Sequence, residues 1–199
     1  MLSRFHVWGC LSRNRLFAWL LLAWGAACLV PATAVPMDGP GDATTPMVAP
    51  AKIVTYKQLL EFLKENKGKV IVLDFWTDAC VECKLEFPHL VNMHRKYKNQ
   101  GLVGVGVNLD EPGEKETMKK VNEFLTKVKA DMPNFVLNEK QADWEKFLGI
   151  TATPAVFVVG RDGKLAKRFL PEVSPDNPEG KVDYQRIRPF VEGLLERKD

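Results

Sequence analysis

The order of apolar and polar positions along the chain predicts strands and helices in regular succession. Short apolar runs rich in β-branched and aromatic residues favour strands that are buried on both faces. Longer segments with apolar residues three and four apart favour amphipathic helices. We predict strands at 69–76, 102–109, 135–137, 155–159 and 165–170, and helices at 55–66, 80–99, 114–130, 141–148 and 184–197.

One stretch joins the first of these strands to the helix after it, and from Val70 to Pro88 it reads VIVLDFWTDACVECKLEFP. The apolar run is followed by a short turn, by Cys80 at the start of the helix and by Cys83 one turn later. Pro88 lies inside this helix, where a proline removes a hydrogen bond and bends the axis. The pattern thus predicts a pair of thiols directly after a buried strand.

The connections predict a sheet that is parallel at first and antiparallel at its end. Helices between successive strands are the crossovers that parallel strands require. Asp162-Gly163 supplies the positive φ angles of a tight hairpin, so we expect 165–170 to pair antiparallel with 155–159. The fold class is therefore predicted to be α/β, with a central mixed sheet and helices on both faces.

The N-terminal part of the chain has the pattern of a targeting segment followed by a spacer. A basic lead precedes an uncharged apolar run, which ends in an A-x-A motif at 32–34. We predict a signal peptide at 1–34, a flexible Pro- and Gly-rich linker at 35–50 and a folded domain at 51–199. An uncleaved anchor and lipidation at Cys28 stay open as alternatives. Each alternative predicts an exported protein, either periplasmic or otherwise extracytoplasmic.

The charge balance argues against two classes of partner. Arg4, Arg13 and Arg15 are the only charged residues before Val35, and from there 25 basic residues balance 25 acidic ones. A domain that is nearly neutral is a poor match for nucleic acid or for an anionic membrane surface. We expect neither as the main partner.

Cys80 and Cys83 are the only cysteines of the predicted domain, and their position favours redox chemistry. The unpaired N–H groups and the dipole at a helix N-terminus stabilise a thiolate, which is the reactive form of cysteine. Cys80 is then the activated nucleophile, and Cys83 is a shielded thiol within disulfide reach of it. A structural staple is the weaker interpretation, because so short a ring restrains the unfolded chain little.

A zinc site is disfavoured by the same count of candidate ligands. Structural zinc takes four ligands in a tetrahedron. Besides the two cysteines the predicted domain offers only His89 and His94, and all four lie on one helix, where they cannot converge on one ion. We therefore predict no metal, and we expect both histidines at the surface.

The stretch from Val70 to Pro88 resembles the thioredoxin superfamily and, within it, the exported TlpA/ResA-like thiol–disulfide oxidoreductases. Asp74 lies where such proteins often carry a buried acid, and Phe75-Trp76 matches the aromatic pair after it. The segment CVECKLEFP at 80–88 resembles the ResA-type pattern CxxCxxEFP, including the glutamate. The chain departs from the family at Ala79, where Trp is usual, and in the Val-Glu pair between the cysteines. The resemblance covers residues 53–199 and implies a thioredoxin-like fold.

The resemblance also implies a set of site residues, and it implies no cofactor. The buried acid would exchange protons with the second thiol, and a cis-proline loop would pair with an extended substrate chain. The catalytic residues would be Cys80, Cys83, Asp74 and Glu86, with an intramolecular Cys80–Cys83 disulfide in the oxidised state; the substrate-binding residues would be Trp76, Thr153 and Pro154.

We therefore predict a monomeric or tethered thiol–disulfide oxidoreductase that acts on protein thiols and disulfides. Negative charge at Glu82 and Glu86 opposes thiolate formation at Cys80, so we expect a protein that reduces disulfides rather than one that makes them. Electrons would come from a membrane-bound thiol reductase, because an extracytoplasmic compartment lacks the cytosolic reducing pool. The alternative is an adaptor with a thioredoxin fold, which binds partner chains without redox turnover.

Overall fold

The computed structural model describes residues 48, 50–113 and 115–197. The predicted signal peptide at 1–34, with Cys28, and nearly all of the predicted linker at 35–50 lie outside the described residues. Among the helices that the structure describes, none combines the length and the apolar character needed to cross a membrane.

Strands and helices alternate through this part of the chain as the pattern predicts. The strands are β1 (Lys52–Val54), β2 (Val70–Trp76), β3 (Leu102–Asn108), β4 (Asn134–Leu137), β5 (Ala155–Val159) and β6 (Leu165–Phe169). The helices are α1 (Tyr56–Glu65), α2 (Val81–Tyr97), α3 (Lys115–Lys127), α4 (Gln141–Leu148) and α5 (Tyr184–Glu196), and α2 runs into a 3₁₀ turn at Lys98–Gln100.

The strands form one mixed sheet in the order β1-β4-β3-β2-β5-β6. The first four strands of this order are mutually parallel, and β5 lies antiparallel to β2. β6 returns antiparallel to β5 after the Asp162-Gly163 turn. The predicted fold class, α/β with a mixed sheet, is confirmed.

A hydrophobic core lies on each face of the sheet. One core joins alternate residues of β2 to the inner sides of α2, α3 and α5. The other joins the remaining residues of β2 and β3 to α1 and α4. Each residue of β2 is buried, which is the physical reason that its sequence is an apolar run rather than an alternating one.

The first strand, β1, was not predicted from the sequence. This strand is three residues long, and two of them are exposed, so it shows neither an apolar run nor an alternation. It pairs with β4 at the edge of the sheet, where the pairing of main-chain groups rather than burial holds it. The other elements begin and end within about three residues of their predicted positions.

Close packing of α2 on β3 brings the cysteine-bearing helix down onto the sheet. A Cβ atom at Gly106 would lie 2.7 Å from Cζ of Phe87, and one at Gly104 would lie 3.1 Å from Cβ of His94. Gly106 therefore needs to be glycine for the helix to approach this closely, and a side chain at Gly104 would make a tight contact.

Candidate functional site

Cys80 and Cys83 are joined by a disulfide at the N-terminus of α2. Cys80 is the N-cap residue, and the N–H of Cys83 donates a hydrogen bond to its Sγ at 3.2 Å. Cys83 is 1% exposed, whereas Cys80 is only partly buried. The first sulfur is thus accessible and faces a main-chain donor, and the second is shielded by the core.

The loop before Cys80 is held by carboxylates and a lysine. Asp110 Oδ2 accepts hydrogen bonds from the main-chain N–H of Asp78 at 2.6 Å and from Nδ2 of Asn108 at 2.7 Å. Lys84 Nζ lies 2.5 Å from Oδ1 of Asp78 and bridges the loop to the second turn of α2. These contacts hold the turn that brings the chain from β2 to Cys80.

Asp74 is the one buried ionisable side chain of β2, and it is 2% exposed. Burial raises the pKa of Asp74 from its ordinary value of 3.8 to about 7; a hydrogen bond from Tyr184 opposes this effect, and the charge of Glu86 adds to it. The Tyr184 hydroxyl donates to Oδ2 at 2.7 Å, and Oδ1 has no hydrogen-bond partner within the described part of the chain. A carboxyl group with such a pKa can take up and release a proton near neutral pH.

Glu86 lies one turn after Cys83 on α2 and is half-buried. Its Oε2 accepts a hydrogen bond from the main-chain N–H of Tyr184, at the start of α5, at 3.0 Å. Tyr184 was not among the site residues predicted from the sequence. Nothing in its local sequence marks it, because it reaches Asp74 and Glu86 only when α5 packs against α2.

Trp76 is buried in the core rather than exposed beside the disulfide. It is 1% exposed and packs against the rings of Phe87 and Phe124, at centroid distances of 5.6 and 4.9 Å. A side chain with so little accessible surface has none to offer a substrate. The prediction that Trp76 binds substrate is therefore wrong, and the residue supports the cysteine helix from below.

The Thr153–Pro154 peptide bond is cis and lies across a groove from the first two turns of α2. The groove has a volume of about 430 Å³, and Glu82, Leu85 and Glu86 line its helix side. Thr153 is half-buried and Pro154 is buried, so the groove offers backbone and helix side chains rather than a deep cavity. Its open shape suits an extended chain more than a small molecule.

The two histidines of α2 differ in environment. His89 is exposed, as predicted, but His94 is half-buried, and its Nδ1 accepts a hydrogen bond from the N–H of Gly104 at 3.1 Å. Burial lowers the pKa of His94, which favours the neutral ring that can accept this bond. The prediction that His94 is a surface residue is wrong, because the glycine beneath it lets the helix approach. Among the described residues, no three His, Cys, Asp or Glu side chains are placed to hold a metal ion.

The fold and the paired thiols define the class of protein, and comparison with known families agrees with it. The sequence pattern of the Redoxin family matches residues 45–185, and the chain belongs to that family. Within the thioredoxin superfamily its sequence is similar to that of ResA-type thiol–disulfide oxidoreductases, so the predicted resemblance is confirmed.

Two relatives show how far the sequence similarity extends. The chain is 28% identical over 118 residues to the thiol-disulfide oxidoreductase ResA of Bacillus thuringiensis, covering 59% of this chain and 64% of ResA. It is 29% identical over 113 residues to the chloroplastic protein SUPPRESSOR OF QUENCHING 1 of Arabidopsis thaliana, covering 57% of this chain and 10% of that protein. The chain thus spans less than two thirds of either relative.

Solved structures show the same fold. A thiol-disulfide isomerase from Corynebacterium glutamicum superposes with a TM-score of 0.55 at 18% sequence identity. The match covers 68% of this chain and 86% of that one. At this level of identity the likeness establishes the thioredoxin-like architecture.

Proposed function

We propose that the protein is an exported oxidoreductase that reduces protein disulfides through Cys80 and Cys83. The difference in exposure between the two sulfurs at a helix N-terminus carries the proposal. An accessible sulfur next to a main-chain N–H suits a nucleophile, because that donor stabilises the thiolate. A buried sulfur one turn away suits the thiol that later frees the first.

The reaction would proceed in two exchanges that conserve electrons. The Cys80 thiolate attacks a substrate disulfide, forms a mixed disulfide and releases one substrate thiolate. Cys83 then gives its proton to Asp74, and its sulfur attacks Sγ of Cys80. The Cys80–Cys83 bond forms, the second substrate sulfur leaves as a thiolate, and two electrons have passed to the substrate.

Other features support a direction and a mode of docking. Glu82 and Glu86 bring negative charge to the first turns of α2, which disfavours the Cys80 thiolate and makes the couple more reducing. The groove between these turns and the Thr153–Pro154 bond has the open form that an extended substrate segment needs. We further propose a membrane-bound thiol reductase as electron donor, which the predicted signal peptide makes necessary outside the cytosol.

An adaptor function is the second candidate, and exposed apolar side chains favour it. Val81 is 64% exposed and Leu85 is 69% exposed, and both lie on the first turns of α2. Such side chains would also suit a surface that binds partner chains without any exchange of disulfides. The two functions differ in whether Cys80 is needed.

Reduction of insulin by dithiothreitol, followed by turbidity, tests the proposal. The wild-type protein should accelerate the reaction, and Cys80→Ser should lower the rate to that of dithiothreitol alone. Cys83→Ser keeps the nucleophile, so it should accumulate a mixed disulfide with an insulin chain that mass spectrometry detects. Wild-type protein that binds insulin without accelerating its reduction, together with unchanged binding by Cys80→Ser, would establish the adaptor instead.

A further inference from the structure

Tyr184 forms hydrogen bonds to two carboxyl groups, those of Asp74 and Glu86. It is the first residue of α5 and is 2% exposed. Its hydroxyl donates to Oδ2 of Asp74 at 2.7 Å, and its main-chain N–H donates to Oε2 of Glu86 at 3.0 Å. One residue of the last helix therefore connects β2 to α2, the helix that carries the cysteines.

Tyr184 is also held firmly in place. Asp183 is the N-cap of α5, and its side chain accepts a hydrogen bond from the N–H of Arg186. The N–H of Tyr184 belongs to the first turn, where helix donors have no partner within the helix, and Glu86 satisfies it. Because the main chain is anchored on both sides, the direction of the phenol hydroxyl is determined by the packing of α5.

The groups that face Asp74 come from four elements. Its neighbours on β3 and β5 are Gly106 and Val156, which carry no charge. Helix α2 contributes Glu86, whose charge acts on Asp74, and it carries His89, whose ring centroid lies 6.3 Å from that of Tyr184. Helix α5 contributes the Tyr184 hydroxyl.

These groups act on the carboxyl in opposite directions. Burial and the charge of Glu86 raise the pKa of Asp74, whereas the hydrogen bond from Tyr184 lowers it. Donation to a carboxylate favours its ionised form. Tyr184 thus supports the form of Asp74 that can accept a proton, and Oδ1, which has no partner among the described residues, is the atom left to receive it.

We propose that Tyr184 is a positioning residue of the thiol exchange, favouring the ionised form of Asp74 and orienting it so that it takes the proton of Cys83. This inference rests on the proposed function. As Cys83 attacks Sγ of Cys80 in the mixed disulfide, its proton passes to Asp74 and the substrate sulfur leaves as a thiolate. The proton then returns to water or to the departing thiolate, so that Asp74 is ready for the next turnover.

Tyr184→Phe removes the hydroxyl and leaves the ring, and its first readout is the ionisation of Asp74 itself. The Cγ resonance of Asp74 in the oxidised protein should titrate about half to one pH unit higher in Tyr184→Phe than in wild type. With the cysteines bonded, they do not contribute to this titration. An unchanged midpoint would overturn the inference.

Tyr97→Phe is the matched control. Tyr97 is 6% exposed on α2, and its hydroxyl donates to Glu192 of α5, so it also joins these helices through a carboxylate. It lies at the far end of α2 from the cysteines. A merely structural role would lower the stability of both variants alike and move the Asp74 midpoint in neither, whereas the inference requires the midpoint to move in Tyr184→Phe alone.

The second readout is the pH dependence of insulin reduction. Its acidic limb should move to higher pH in Tyr184→Phe by the same amount as the Cγ titration, and it should stay in place in Tyr97→Phe. If the wild-type protein does not reduce insulin, the proposed function fails, while the Cγ titration still decides whether Tyr184 sets the ionisation of Asp74.

A third measurement does not need a substitution at Tyr184, so it can be made even if Tyr184→Phe fails to fold. The chain has three tyrosines, so protein labelled with 3-fluorotyrosine gives a short ¹⁹F spectrum that Tyr56→Phe and Tyr97→Phe assign. The Tyr184 resonance should shift as Asp74 ionises, near pH 7, and should lose this shift in Asp74→Asn. A Tyr184 resonance whose chemical shift does not change with pH in the wild-type protein would contradict the inference.

Discussion

At the scale of single residues, Asp74 is the side chain whose behaviour differs most from that of the same residue type at a protein surface. A carboxylate placed in an apolar strand is costly unless it is paired or protonated. Its pKa of about 7 means that the folded protein keeps a proton on Asp74 over a range where the unfolded chain has released it. The same burial that makes the group useful for proton transfer therefore costs stability.

The stability cost has a definite pH dependence. The pKa of Asp74 is higher in the folded state, so its stabilising effect is complete below about pH 4 and is lost as the pH rises through about 7. Asp74→Asn lacks this pH dependence. We therefore expect the free energy of unfolding of Asp74→Asn, minus that of the wild type, to be about 4 kcal/mol larger at pH 8 than at pH 4. Urea unfolding of both oxidised proteins at the two pH values measures this difference.

Parallel pH profiles of Asp74→Asn and wild type would contradict that expectation. They would mean that Asp74 ionises at the same pH in the folded and unfolded states. In that case the carboxyl would not be a proton acceptor adjusted to neutral pH.

At the scale of elements, the close approach of α2 to the sheet determines where the cysteines lie. Gly104 and Gly106 leave room for the helix, and His94 uses that room to accept a main-chain hydrogen bond. The strand β3 therefore does more than pair with β2 and β4. Its glycines determine the depth at which α2, and with it the shielded Cys83, sits on the core.

Gly106→Ala tests this packing. The new Cβ would lie 2.6 Å from Oδ1 of Asn134 on β4 and 2.7 Å from the ring of Phe87, a buried residue of α2, so α2 or the neighbouring strands must shift. We expect a loss of about 1 to 3 kcal/mol in the free energy of unfolding, as overpacking of a core typically causes. Urea unfolding at constant pH provides the measurement.

Gly193→Ala is the matched control for this substitution. Gly193 lies inside α5, and a Cβ there would meet nothing within 4 Å. Alanine is the better helix former, so this variant should gain about 0.5 to 1 kcal/mol. Equal effects of the two substitutions would show that the contact between α2 and β3 tolerates a larger residue.

At the scale of the whole molecule, redox state and stability are linked. A couple that is more reducing than that of the unfolded chain has an oxidised form that is stabilised by folding relative to the reduced form. The proposed reducing role therefore predicts that the oxidised protein unfolds with a free energy about 1 to 3 kcal/mol higher than the reduced protein. Urea unfolding with and without a phosphine reductant measures both values.

The opposite order would change the direction of the proposed reaction. A reduced form that is the more stable one belongs to a protein that introduces disulfides, because reduction is then favoured by folding. The protein would still exchange thiols and disulfides, and only the proposed direction of electron flow would be lost.

Local patterns were sufficient for most of the fold and for the sulfur pair. The buried strand β2, the turn and the helix start at Cys80 follow from residues that are near one another in the chain, since strand burial and helix capping are local effects. The resemblance of the same stretch to the thioredoxin superfamily, rather than a local pattern, indicated Asp74 and Glu86 as candidate catalytic groups. β1 was missed because so short an edge strand is held by its partner and has no pattern of its own.

Tertiary structure alone decided what surrounds these groups. Tyr184 lies 110 residues from Asp74 and 98 from Glu86, and no spacing rule connects positions so far apart. Trp76 and His94 were misplaced for the same reason, since the rings and the glycine that bury them belong to other elements. The sequence by itself determined which atoms can react, because that depends on residue type and local backbone. Their burial, partners and proton affinities were decided only when distant segments packed together, because desolvation and hydrogen bonding depend on every neighbour in space.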